Sequence, residues 1–306
     1  MSLSFTQVAA LWKEEKRQYV KESSYAIYVN LINIYILPEF RDDGLSEEGI
    51  QAFANRMLAR GYALKTVKDT LLVLKMIVRY GSKLKAWPEM DCAVHFPTIA
   101  QREKGPEVLS GEQQKRLLVH LQQNLSSKNL GILICLYTGL RIGEICALQW
   151  RDIDLAGGLL RITKTVQRIC YADGAIRENR LVIGPPKTPS SIREIPIPGA
   201  ILRILRPLGR FAQPQHFLVS NADEPYEPRY YRAYFRKLLA SLDIPPIRFH
   251  ALRHSFATRC IQSRCDYRTV SSILGHASIS TTLNLYVHPG FEDKKRAIEK
   301  MARAFH

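Results

Sequence analysis

The chain has 306 residues, 46% hydrophobic and 24% charged, which is room for two ordinary globular domains, each with its own core. Its 44 Lys and Arg against 28 Asp and Glu leave a net charge of +16, a surplus that favours a polyanionic partner, nucleic acid or an anionic membrane, over a merely basic surface. No apolar run reaches the roughly 18 residues that span a bilayer, and the start MSLSFTQVAALWKEEKRQ puts charges where a signal peptide needs its apolar segment, so a cytoplasmic protein without membrane contact is expected.

The first third of the chain reads as helices. Two are predicted over 5–19 and 22–37. In SEEGIQAFANRMLARG, Ile50, Phe53, Ala54, Met57 and Leu58 share one face, Ser46 is placed to cap and Gly61 to stop. A further stripe, Leu64, Val67, Leu71, Leu74, Ile77 and Val78, ends at Gly81, with Lys65 and Lys68 off it. Those lysines suit either a phosphate-binding face or an ordinary solvated one. Residues 1–95 therefore form a small four-helix module, and the unperiodic stretch after it sets an interdomain linker at 96–108.

The second domain is expected over 109–306 and mixes types. LSGEQQKRLLVHL opens with a capping box, Ser110 with Gln113. NLGILICLYTG is an apolar helix, and LRIGEICALQW a shorter one after a break at Gly139. GLLRITKTVQRI alternates and predicts a strand, and RLVIGPPKTPSSIREIPIP holds two short strand-like runs joined by a Pro- and Ser-rich turn. Helices follow at 199–210, 227–242, 250–263, 268–274, 279–287 and 291–304. The charge is concentrated here: residues 106–306 hold 29 basic and 16 acidic residues, against 15 and 12 in residues 1–105.

Several polar residues stand where a plain core would not put them. Arg141 follows the Gly139 break, with Glu144 three residues on. Lys187 lies in the turn between strands. In HALRHSF, His250 and Arg253 share a helical face, and His276 follows Gly275. His250 and His254 have the spacing of a zinc helix, yet the glutamate of that motif is missing, and the six cysteines form no CxxC pair, so no metal site is expected. Tyr286, among Leu283, Leu285 and Val287, would by local pattern be a core aromatic.

Taken in order, TGLRIGE with Arg141, PKTPSSIREIPIP with Lys187, HALRH with His250 and Arg253, LGH with His276 and TTLNLY with Tyr286 resemble the tyrosine recombinase, or phage-type integrase, family. The resemblance covers 106–306 and extends to the helices of 1–95, which look like that family's core-binding domain. It implies a mainly α, two-domain fold: a SAM-like four-helix module, then an α+β catalytic domain with a small antiparallel sheet. It also implies a site-specific DNA recombinase, for integration, excision or inversion, that acts through a 3′-phosphotyrosine without metal, cofactor or ATP. Tyr286 would be the nucleophile, Arg141 and Arg253 the phosphate clamps, His250 and His276 donors and proton movers, Lys187 the general acid, and Glu144 the support of Arg141.

The partners so implied are double-stranded DNA with paired recombination sites and a homo-tetramer built by exchange of the last helix. That helix carries Ile298, Met301, Ala302 and Phe305 on its apolar face. An accessory DNA-bending or directionality factor belongs to the same picture, as does a nucleoid-associated place in the cytoplasm. Arg229, Arg232 and Arg236, spaced i, i+3 and i+7 among aromatics, suit a DNA-facing stripe or an ordinary amphipathic helix with its rings in the core. One core-binding module fits in 1–95, which favours a simple invertase, resolvase or mobile-element enzyme. The rival readings are a type IB topoisomerase and a DNA-binding protein without catalysis.

Overall fold

The computed structural model describes residues 3–41, 45–97, 107–286 and 291–303. The chain divides into two compact units. One comprises Met1–Arg102 with Arg168–Arg180, the other Glu103–Gln167 with Leu181–His306. The mainly helical fold with a small antiparallel sheet is the one the sequence implies.

In the first unit, α1 (Phe5–Tyr19) starts at Ser4, which forms a reciprocal capping box with Gln7. Next comes α2 (Glu22–Leu31), which runs on through a π turn at Ile32–Ile36. Ser46 caps α3 (Glu47–Ala59), accepting from the Gly49 amide at 3.0 Å. The stripes pack as one core of Val8, Trp12, Ile32, Ile36, Ile50, Phe53, Leu74 and Ile77, and each large side chain so buried contributes about 1.5–3 kcal/mol.

The helix expected to stop at Gly81 does not. Helix α4 (Leu64–Lys83) passes through it, and the Trp87 indole returns across the helix, donating to the Val78 carbonyl at 3.0 Å. A Cβ at Gly81 would lie 2.0 Å from the indole ring. The glycine there is a landing site for a ring, not a terminator.

In the second unit, α5 (Gly111–Gln123) begins with the Ser110–Gln113 capping box. Helix α6 (Ser127–Thr138) is apolar on every side and runs buried through the core. It ends at Gly139, and α7 (Ile142–Ala147) follows directly. A three-stranded antiparallel sheet has the order β1 (Ile153–Asp154), β2 (Leu159–Ile162), β5 (Arg193–Pro196), with Leu160 opposite Ile195.

The run GLLRITKTVQRI is not one strand. It breaks after Ile162, where Lys164 is held by Gln149 at 2.7 Å and Asp152 at 3.1 Å. The chain resumes as β3 (Thr165–Asp173), which pairs with β4 (Ile176–Gly184) in a separate hairpin. The hairpin tip, residues 168–180, groups with the N-terminal helices, whereas the sequence suggests a linear division. Asn30 donates to the Cys170 carbonyl at 2.8 Å, Asn33 to Ala172 at 2.7 Å, and Lys13 pairs with Asp173.

Helices α8 (Gly199–Gly209), α9 (Pro228–Ser241), α10 (Ala251–Gln262), α11 (Tyr267–Leu274), α12 (Ile279–Tyr286) and α13 (Phe291–Arg303) complete the unit. Helix α10 packs on α6, and α12 packs on both α10 and α11. Most of the linker expected at 96–108 lies outside the described residues, as does Phe305.

Gly81→Val would force the indole off α4. Overpacking of this kind costs about 1–3 kcal/mol, so we expect a lower urea midpoint for the first unit and a red-shifted tryptophan emission. Unchanged emission would contradict this packing account.

Candidate active site

Two helix ends bring the arginines of the second unit together. Helix α6 closes on Gly139 and α11 on Gly275, both at φ +66° in the left-handed region that glycine adopts freely. The Gly139 carbonyl accepts from Arg253 Nη1 at 2.9 Å, and the Gly275 carbonyl accepts from Arg141 Nη2 at 3.2 Å. The glycines in TGLR and LGH thus turn the chain so that a carbonyl holds each arginine. Arg141 and Arg253, 112 positions apart in the sequence, meet here.

Beneath Arg141 lies Glu144, 3% exposed. Its Oε1 accepts from Arg141 Nη1 at 2.8 Å and its Oε2 from the Arg141 amide at 2.9 Å. A second arginine, Arg193 on β5, reaches the same carboxylate at 3.1 and 3.0 Å and donates Nε to the Ile273 carbonyl at 2.5 Å. Burial alone would raise the Glu144 carboxyl. The hydrogen bond and charge of Arg193, joined by the charge of Arg141, outweigh it and hold the pKa below the ordinary value.

Arg253 is 1% exposed, and its Nη2 is a buried donor with no partner among the described residues. Burial first, then the Arg141 charge, pull its pKa to about 9, which still leaves it cationic at neutral pH. A buried guanidinium with an unused donor is costly unless an anion completes it.

The histidines are set differently. His276 pairs its Nδ1 with the buried Thr282 hydroxyl at 2.8 Å. His250, at the start of α10, is exposed as a residue, yet the protein around the ring and the charges of His254, Arg253 and Arg141 pull it to about 4. Burial and the Arg253 and Arg141 charges bring His276 to about 4 as well. Both are neutral at pH 7.

Tyr286 is 8% exposed and has two roles in packing. Its ring joins Ala257, Val270 and Leu274 in a small cluster, and its hydroxyl lies 2.6 Å from His254 Nδ1. Burial raises its pKa, and Arg253 and Arg141 pull it back. The local-pattern reading of Tyr286 as a core aromatic is therefore right for the ring and incomplete for the hydroxyl.

Lys187 stands exposed on the segment between β4 and β5, just before the turn whose Ser191 carbonyl accepts from Arg193 Nη1 at 2.9 Å. Arg229, Arg232 and Arg236 are exposed on α9 while Tyr231 and Phe235 of the same helix lie in the core. With Arg248, Ile142 and His250 these arginines line a groove of about 800 Å³. In the helical unit, Lys65 pairs with Asp69 at 3.2 Å and Lys68 sits over the Phe96 ring. Among the described residues, no group of three or more His, Cys, Asp or Glu is placed to hold a metal ion.

Two participants are not evident from motif spacing: Arg193 and His254. The available signal for Arg193 is its phase, since it falls on the same alternation as the buried Ile195 and Ile197. His254 is visible only as the i+4 neighbour of His250.

The sequence profile of the phage integrase family matches residues 107–293, and that of the phage integrase N-terminal SAM-like domain matches residues 4–58. The chain is 27% identical over 292 residues to a XerC-like tyrosine recombinase of Caldanaerobacter subterraneus subsp. tengcongensis, covering 84% of this chain and 70% of that protein. It is 30% identical over 272 residues to the tyrosine recombinase XerC of Chlorobaculum parvum, covering 84% and 75%. Its fold is similar to that of the Tn1549 transposon integrase solved with transposon right-end DNA. The TM-score is 0.79 at 21% identity, with 98% of this chain and 100% of that one covered.

Removing the shared carboxylate leaves two cations facing each other. Glu144→Ala is expected to cost about 3–5 kcal/mol, the loss typical of a broken buried pair, read by denaturant unfolding. Because its pKa is lowered in the folded state, the Glu144 contribution is complete above the unfolded value of about 4.3. It is lost as pH falls through the lower folded value, so wild type should lose more stability on acidification than Glu144→Gln.

Proposed function

The chain belongs to the phage integrase family of tyrosine recombinases, and on that premise we propose that it cuts and rejoins paired DNA sites with Tyr286 as nucleophile. The observation that carries this reading is the cluster in which the Tyr286 hydroxyl is held in the field of Arg253, whose buried Nη2 has no partner among the described residues. A phosphodiester supplies what that donor needs, an anionic oxygen.

Each side chain then has a physical task. Arg141 and Arg253 take the two non-bridging oxygens, where charge develops as the phosphorus is attacked. Glu144 and the glycine carbonyls hold the guanidiniums in place before DNA arrives, so little reorganisation remains. His250 and His276, being neutral, add hydrogen bonds without adding repulsion beside the arginines. As Tyr286 Oη bonds to phosphorus, the bond to the 5′ oxygen breaks, and Lys187 gives that oxygen its proton. The products are a 3′-phosphotyrosine and a free 5′-hydroxyl. Attack by a 5′-hydroxyl from another strand reverses the step, so no ATP is consumed. The hydroxyl and its pocket belong to one chain, which supports attack in cis.

The groove arginines Arg229, Arg232, Arg236 and Arg248 extend the cationic surface from His250 and would meet backbone phosphates. For Lys65 and Lys68, the Asp69 pair and the Phe96 seat favour the solvated-face reading. Helix α13 exposes Phe291, Ile298 and Met301, at 78%, 63% and 52%, which supports packing of this helix on a second copy in a tetramer on DNA.

Tyr286→Phe should still bind a nicked suicide duplex carrying the recombination site but form no covalent adduct in denaturing gels. The wild-type adduct should form undiminished in EDTA, since cationic side chains do the work that metals do in many nucleases. Loss of the adduct with chelator and its return with magnesium would defeat this mechanism.

A further inference from the structure

The phenol needs a proton acceptor, and the six residues assigned above do not include the one that touches it. His254 lies one helical turn beyond His250 on α10, half-buried, with Nδ1 2.6 Å from the Tyr286 hydroxyl. The His250 ring meets the His254 ring edge-on, with 4.6 Å between centroids. His276 directs its Nδ1 to Thr282 instead. We propose that His254, rather than His250, positions Tyr286 and accepts its proton as the phenol attacks. This inference rests on the reading of Tyr286 as nucleophile.

The step balances. The Tyr286 O–H bond breaks and its proton passes to the Nδ1 lone pair. The oxygen pair so released forms the O–P bond, and the pair of the P–O5′ bond leaves on the 5′ oxygen, which takes a proton from Lys187. In rejoining, the His254 imidazolium returns the proton to the departing phenolate. The tautomer required carries its hydrogen on Nε2.

The surroundings suit a base. The groups facing His254 are His250 and Arg253 from its own helix, Tyr286 from α12, and Glu107 from the segment before α5. Burial and the Arg253 charge lower its pKa, and Glu107 opposes them, so the ring is neutral and free to accept at pH 7. An arriving phosphodiester brings negative charge into the pocket and favours the imidazolium. The donor side has the complementary need. Burial makes the Tyr286 proton harder to lose, so transfer to a fixed acceptor during attack is easier than prior ionisation.

Asparagine places an acceptor oxygen near the position of Nδ1 but cannot take a proton, so His254→Asn separates holding the phenol from deprotonating it. The test measures adduct formation against pH for the full-length wild type, His254→Asn, His254→Ala and Tyr286→Phe. The probe is a nicked suicide duplex carrying the inverted repeats beside the coding sequence. We expect both His254 variants to be slower by about 100-fold at pH 7, within the range for a general base. That deficit should narrow as pH rises towards the phenol's own range, where hydroxide replaces the imidazole. A wild-type rate in His254→Asn, or a deficit unchanged across pH, would overturn the proposal and leave His254 a packing residue. An adduct surviving in Tyr286→Phe would instead remove the nucleophile reading itself.

Discussion

The site depends on one buried carboxylate. Glu144 is shared between Arg141, from the turn after α6, and Arg193, from strand β5. Two guanidiniums brought to one carboxylate would repel each other, and the single anion between them converts the repulsion into two attractive contacts. The same carboxylate caps the first turn of α7 through the Arg141 amide. Arg193 in turn bonds the Ile273 carbonyl near the end of α11, and Arg141 bonds Gly275. Helix end, strand and helix start are thereby fixed to one another by charge-assisted bonds, which are short and strongly directional.

The backbone then does what side chains alone cannot. A cation needs acceptors when no ligand is present, and carbonyls at helix C-termini carry partial negative charge. The left-handed turns at Gly139 and Gly275 aim such carbonyls at Arg253 and Arg141. A side chain at Gly275 would crowd the Ser190 carbonyl at 3.0 Å and the Arg193 Cδ at 3.1 Å, so the tight turn also lets β5 approach. Among the described residues, one Arg253 donor has no partner. A site this well tied elsewhere can keep that donor aimed, at a cost that, on the proposed function, an incoming phosphate oxygen would recover.

How much of this was legible in the sequence depends on the distance over which each signal acts. Helix bounds such as Phe5–Tyr19 and Phe291–Arg303 follow from apolar period and local caps, and both were readable. The crossover at residues 163 and 164 was not, because the alternating phase of Leu160 and Ile162 continues through Val166 and gives no sign that the chain has left one sheet for another. The seating of the β3–β4 tip was equally hidden. Asn30 and Asn33 satisfy carbonyls about 140 positions away, and no local pattern encodes such a pairing. At the site, the motif residues were legible as an ordered set, but Arg193 looked like a strand residue and His254 like half of an incomplete zinc motif. Both acquire meaning only from what the fold brings beside them, Glu144 in one case and the Tyr286 hydroxyl in the other.

Charge is divided within the pocket in a way that follows from the same crowding. Arginine stays protonated even when burial and a neighbouring arginine pull it to about 9, whereas His250 and His276 under the same field fall to about 4. The fixed positive charge is therefore carried by groups that cannot act as bases at neutral pH, and the groups that can accept a proton are left uncharged. In the proposed mechanism this separation would let one small site stabilise an anionic transition state and receive a phenolic proton at the same pH. Burial holds the Tyr286 pKa above its ordinary value. Arg253 and Arg141 act against that burial, and in the proposed mechanism the remaining element is an acceptor within hydrogen-bond reach, the position that His254 occupies.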